Sequence, residues 1–265
     1  MKSKDTLTAC LERIRDLLSS FRLPTLAEHL GPAFVKAAQE EALEVLRDVL
    51  EMEGKTRHDR RVDRLRQASH LPSGKTLDTL EQGRLPRPLV QRIQHLAAGD
   101  WVDNAENVLA FGLPGVGKSH VACALGHALV GRGYSVLFTP TFRLVQDLLA
   151  AKRDLQLPRA LRKLDLFDLL ILDDIGYVKQ APEKVEVLFT LLAERYERRS
   201  LLITSNLVFS EWDRIFKDPM TTAAAIDRLI HHSCILEFNV KSYRSEKATR
   251  RASTPAQAPS TAELE

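Results

Sequence analysis

Residues 110–127 read AFGLPGVGKSHVACALGH, and within them Gly112, Gly117, Lys118 and Ser119 satisfy the pattern G-x-x-x-x-G-K-[ST]. An apolar strand, expected at Asn107–Phe111, leads into the glycines, and a helix expected at Ser119–Val130 follows them. Glycines at these positions let successive backbone N–H groups curl around phosphate oxygens, with Pro114, Gly115, Val116 and His120 completing the lining. Lys118 is expected to reach the β and γ oxygens and the Ser119 hydroxyl to ligate Mg²⁺. The helix directs its positive end at the same anion. A plain glycine turn between strand and helix has the same outline, so the context decides. The implied ligands are ATP and Mg²⁺.

Outward from this loop the chain alternates between the two periodicities. Further strands are expected at Ser135–Thr139, Leu169–Leu172, Leu201–Thr204 and Ile235–Phe238, with helices at Thr141–Ala151, Pro182–Arg198 and Thr222–His231. Apolar runs such as DLLILDD and SLLITSN suit a parallel sheet covered on both faces, hence an α/β domain wound around that sheet. The strand LLILDD closes on two carboxylates, Asp173 and Asp174, 55 residues after Lys118. Two acids ending a strand otherwise form a solvated turn. With a phosphate loop upstream, Asp173 is expected to hold Mg²⁺ and Asp174 to polarise the attacking water, though Asp174 is shorter than a glutamate. The next strand ends in Thr204, Ser205 and Asn206, beside the acids if the two strands are neighbours. Asn206 could then orient the water or sense the γ-phosphate.

The chain has 265 residues, 44% hydrophobic and 28% charged, with a formal charge of +3. That allows one α/β domain and a smaller attachment with a real core. Leu7, Cys10, Leu11, Ile14, Leu17, Leu18 and Phe21 recur at helical steps. The stretch LPTLAEHLGP, with two prolines, is expected to interrupt the helix, and a second run extends from about Ala33 to Ala68 with a possible bend at Gly54. LPSGK at 71–75 reads as a linker. The organisation is thus a helical N-terminal domain (1–70), an α/β domain (71–250) and a tail (251–265) rich in Pro, Ala and Ser, expected to be disordered. Cys10, Cys123 and Cys234 lack metal-ligand spacing and read as small buried residues of a reducing compartment. No apolar run is long enough to span a membrane and the first residues are not a signal peptide, so a cytoplasmic protein is expected.

Together, GLPGVGKSHVACALGHAL, DLLILDDIGYV, LLITSN, AIDRLIHHSCILEF and KSYR, with KTLDTLEQGRLPRP upstream, resemble the AAA+ ATPases. Within them the chain most resembles the IstB-like helper ATPases of bacterial insertion sequences, over roughly residues 75–244, with the DnaC helicase loaders as relatives. The resemblance implies a three-layer AAA+ core behind a small all-helical domain. It identifies Arg228 with the arginine finger, which acts on ATP held by a neighbouring subunit, and so implies a homo-oligomer. The chain ends soon after KSYR, so no sensor residue from a helical lid is expected.

Two basic stretches bear on partners. Arg57, Arg60, Arg61 and Arg64 lie in KTRHDRRVDRLRQ, and Lys152, Arg153, Arg159, Arg162 and Lys163 lie in FRLVQDLLAAKRDLQLPRALRKL. Such stretches are otherwise solvated helix faces. In the resembled family the second is an extra helix lining a DNA path. Without interleaved aromatics, contact with duplex phosphates is expected rather than stacking on single-stranded bases. The expected function is an ATP-dependent helper that assembles on and deforms duplex target DNA and recruits a transposase. A DnaC-like loader of a replicative helicase and a small-molecule kinase are the competing readings.

Overall fold

The computed structural model describes residues 2–37, 39, 41–177, 182–207, 211–212, 223, 226–227, 229–231, 233–240 and 242–243. The chain divides into two compact units, Met1–Arg64 and Leu65–Glu265. The division falls within a helix.

The first unit holds α1 (Lys2–Ser20), α2 (Pro24–Lys36) and most of α3 (Ala42–Ala68). Cys10, Ile14 and Leu18 of α1 are buried with Leu43 of α3, and Leu30 and Phe34 of α2 pack around them. The first helix does stop, at Ser20, but the interruption is confined to residues 21–23 and the proline stretch itself is helix from Pro24. Pro24 stands in the first turn, where its missing N–H would have had no acceptor in the helix. Pro32 lies inside α2 at the loss of one ladder bond, which the packing of Leu30 and Phe34 offsets. α2 runs to Lys36 and α3 starts at Ala42 rather than near Ala33. The helix assignment is unbroken at Gly54, whose bare Cα faces Phe21 and Leu17.

The second unit runs α4 (Arg87–Leu96), α5 (Asp100–Asp103), β1 (Asn107–Gly112), α6 (Lys118–Gly131), β2 (Val136–Pro140), α7 (Thr141–Arg153), α8 (Leu157–Leu164), β3 (Leu169–Asp173), α9 (Pro182–Arg195), β4 (Ser200–Ser205) and β5 (Ser233–Phe238). The five strands form one parallel sheet in the order β2-β3-β4-β1-β5. Leu169–Leu172 are completely buried, as both faces are covered. Leu144 and Leu148 of α7 and Leu188, Leu191 and Leu192 of α9 pack with Leu109, Leu170, Leu172 and Ile203. On α6, Gly126 approaches the sheet so closely that a Cβ would come within 2.8 Å of Ile171. The edge strand β2 is partly covered, since the Phe138 N–H donates to the Ser69 carbonyl (2.8 Å).

Boundaries shift by a few residues. α9 ends at Arg195 rather than Arg198, because the backbone turns over at Glu197 (φ +55°). Of the helix expected at Thr222–His231, residues 223, 226, 227, 229 and 230 are helical, and several others, with the tail 251–265, lie outside the described residues. At the amino ends of the strands, buried Arg195 donates to the carbonyls of Leu164, Phe167, Asp168 and Ser200. Burial pulls its guanidinium down to about 10, against the nearby Asp165 carboxylate. Cys10 and Cys123 are buried and Cys234 half-buried, all unbridged. Burial pushes the Cys123 thiol up to about 12, so it stays a thiol at neutral pH.

Candidate functional site

Strand order decides what meets at the carboxyl edge of the sheet. β4 pairs with β1 on one side and β3 on the other, so Phe111 is level with Ser205 and Leu172 with Ile203. The residues just past these pairs are Gly112 and Asn206 on one side and Asp173 and Thr204 on the other. The phosphate-loop strand, the polar end of β4 and the acidic strand thus stand side by side, as the sequence required for Asn206 to lie near the acids. Ligands of open α/β sheets bind at this edge.

The loop itself depends on backbone freedom. Gly112 (φ +153°) has no room for a side chain, since a Cβ would come within 2.8 Å of both the Cβ and the carbonyl oxygen of Phe238. Gly117 (φ +105°) is the left-handed residue from which α6 starts, and Lys118 and Ser119 are its first residues. The Lys118 ammonium is nearly buried and donates to the carbonyls of Gly112 (2.6 Å) and Leu113 (3.0 Å). A cavity of about 350 Å³ opens over the loop. Pro114, Gly115, Val116, Gly117, Lys118, Ser119, His120 and Asp174 line it, as do Leu80, Arg84 and Leu85 before the core and Val240 and Tyr243 after it. The Tyr243 N–H donates to the Gly115 carbonyl (2.9 Å), and the Arg84 guanidinium stacks over the Tyr243 ring at 4.9 Å. The motifs KTLDTLEQGRLPRP and KSYR, remote in sequence, therefore close over one loop. His120 Nε2 lies 3.1 Å from Thr79 Oγ1 and 3.3 Å from the Thr76 carbonyl, fastening the upstream segment to α6.

The acids are held by threonines. The Thr204 hydroxyl donates to Asp173 Oδ1 (2.7 Å) and accepts from the Asp174 N–H (2.8 Å), while the Thr141 hydroxyl donates to the Asp173 carbonyl (3.0 Å). Both threonines are fully buried. Asp174 takes a left-handed conformation (φ +61°), which turns the chain off β3 into the short 3₁₀ turn Ile175–Tyr177 and sets its side chain at the cavity. Among the described residues Asn206 Oδ1 is buried without a hydrogen-bond partner, and Gly176 lies against it. Asp173 and Asn206 flank the cavity's residues without lining it. Arg228 lies outside the described residues. The sequence reading passed over Thr141 and Gly176. For Thr141 the only signal was a hydroxyl directly after a strand; for Gly176 it was a glycine two residues past the acid pair.

Ser119 and Asp173 supply oxygen donors of the hard type that Mg²⁺ takes, and at nucleotide sites that ion needs only one or two protein ligands beside the phosphates. The described residues contain no cluster of His, Cys, Asp or Glu able to hold a metal without such a ligand.

Of the basic residues, Arg153, Arg159, Arg162 and Lys163 are exposed. α8 turns Leu157, Ala160, Leu161 and Leu164 toward the core, which leaves its charges outward. Lys152 is engaged by Glu186 (2.5 Å). In the first unit Arg57 pairs with Glu53 (2.6 Å) and stacks over Phe21 at 4.4 Å. Arg60, Arg61 and Arg64 are exposed on α3. Among the described residues no helix is long and apolar enough to cross a membrane.

Residues 17–252 match the family described as IstB-like ATP binding protein. A putative insertion sequence ATP-binding protein of Sinorhizobium fredii is 47% identical over 240 residues, covering 89% of this chain and 80% of that protein. A putative insertion sequence ATP-binding protein of Pseudomonas aeruginosa is 38% identical, covering 88% and 89%. Among solved structures, AMPPCP-bound DnaA from Aquifex aeolicus superposes with a TM-score of 0.55 at 16% identity, covering 71% of this chain and 57% of DnaA. That likeness concerns the fold alone, a parallel five-stranded sheet covered by helices.

Proposed function

This chain belongs to the IstB-like ATP binding protein family, and from that premise we propose that it hydrolyses ATP to control its own assembly on duplex DNA during transposition. The observation that carries the reading is the insertion of β4 between β1 and β3, which brings Asn206, the acid pair and the phosphate loop to one edge. Lys118 and the N–H groups of residues 115–119 bind the phosphates. Mg²⁺, held by Ser119 and Asp173, would neutralise charge on the transferred phosphoryl group. Asp174, aimed into the cavity, accepts a proton from the attacking water, and Asn206 orients that water. Arg228 of a neighbouring subunit completes the site, which makes hydrolysis depend on assembly.

The relatives named for insertion sequences favour transposition over helicase loading, and the working partner is a transposase. Residues 1–70 and 71–250 act as DNA-contacting and ATPase parts of a cytoplasmic protein. Arg60, Arg61 and Arg64 on α3, with Arg153, Arg159, Arg162 and Lys163 on and beside α8, contact phosphates; Arg57 and Lys152, already paired, contribute less. Bending a short duplex by 40–90° costs about 1–6 kcal/mol, which many phosphate contacts from an oligomer offset.

The test is the mass of particles formed on duplex DNA with ATP. Wild type gives multimers that vanish without ATP; Lys118→Ala binds no ATP and gives none. Undiminished multimers from Lys118→Ala would overturn the coupling.

A further inference from the structure

Gly176 lies two residues beyond the acid pair, in the 3₁₀ turn Ile175–Tyr177. Ile175 anchors this turn, completely buried in the core. The turn cannot slide outward without exposing that side chain. Its opposite wall is β4, whose polar end carries Asn206. A Cβ built on Gly176 would run into Asn206 Oδ1, with Asn206 Cγ at 3.3 Å and Leu207 Cγ at 3.2 Å. Where a Cβ on Gly31, Gly99 or Gly126 would be crowded it meets apolar or aromatic carbons, and on Gly112 it meets Phe238. Among the described residues Asn206 Oδ1 is buried and has no hydrogen-bond donor, so there the contact with Gly176 is what confines it. The bare Cα of Gly176 is the surface against which the amide rests.

We propose that Gly176 is a positioning residue for ATP hydrolysis: it lets the Asn206 amide lie flat beside the acid pair. A methyl at residue 176 displaces the amide from the water it orients while leaving the phosphate loop untouched. The proposal rests on the reading of Asn206 as the water-orienting group. Gly176 has a negative φ, as it is absent from the left-handed glycines, so alanine brings no backbone strain of its own. The effect of alanine is then steric and passes through Asn206.

The test is a double-mutant cycle on steady-state hydrolysis, with ATP affinity and melting temperature measured on every variant. Asn206→Ala lowers kcat on the order of a hundredfold. Gly176→Ala, by misplacing the same amide, lowers kcat on the order of tenfold to a hundredfold with ATP affinity unchanged. Combined, Gly176→Ala and Asn206→Ala turn over at the rate of Asn206→Ala alone, because the group being displaced is already gone. Should Gly176→Ala alone fail to fold, the combined variant still decides, since removing the amide removes the overlap. Additive losses in the combined variant, or normal kcat in a folded Gly176→Ala beside a crippled Asn206→Ala, overturn the proposal. Normal kcat in Asn206→Ala instead overturns the reading of Asn206 on which it rests.

Discussion

Two aspartates bracket β3, and they are treated oppositely. Asp168 at the amino end is saturated: its Oδ2 accepts the Ser135 N–H (2.9 Å) and hydroxyl (2.7 Å), and its Oδ1 pairs with Arg199 (2.6 Å). Arg195 also donates to its carbonyl (3.3 Å). The Asp173 carboxylate at the carboxyl end accepts, among the described residues, one hydrogen bond, from Thr204 to Oδ1, while Thr141 donates to its carbonyl. One end of the strand spends its polar capacity on the fold. The other keeps acceptor capacity beside a loop built for anions. The contrast separates a scaffold carboxylate from the one we propose as a ligand, without reference to any motif.

The contrast is sharpened first at the scaffold end. Arg195→Ala takes a buried donor from four carbonyls and one of two arginines from Asp165, and should destabilise the fold by about 3–5 kcal/mol, read as denaturant midpoint. Lost turnover at unchanged stability would break the comparison. At the ligand end, Thr204→Val keeps the shape but orphans the Asp174 N–H and frees Asp173 Oδ1. A cost of about 1–3 kcal/mol is expected, together with weaker Mg²⁺ dependence of ATP turnover. The smallest effect belongs to the basic surface. Arg159→Ala with Arg162→Ala should leave stability and basal hydrolysis alone. It should weaken DNA binding equally across sequences, with the salt slope reduced by about 1 for each phosphate no longer neutralised. Sequence-dependent weakening would mean those arginines read bases.

The same contrast explains what the sequence made legible. The Gly112–Ser119 loop, the buried strands and the acid pair announce themselves because each obeys a local rule: a glycine spacing, an apolar run, a polar end. Strand order is not local, so Asn206 could be located only conditionally until β4 was found between β1 and β3. The prolines of α2 misled for the same reason. Pro24 and Pro32 oppose a helix locally, and packing on α1 outweighs them. Thr141, Thr204 and Gly176 make their contacts with segments remote in sequence, and composition carries no trace of those.

The most direct test sets Asp173→Asn beside Asp168→Asn and measures ATP turnover per folded molecule. The account predicts that Asp173→Asn melts with the wild type, binds ATP and turns over about a hundredfold to a thousandfold more slowly. Asp168→Asn should melt earlier and, while folded, hydrolyse ATP at the wild-type rate. Normal turnover from Asp173→Asn, or a folded Asp168→Asn that has lost it, would contradict the assignment of chemistry to the carboxyl edge.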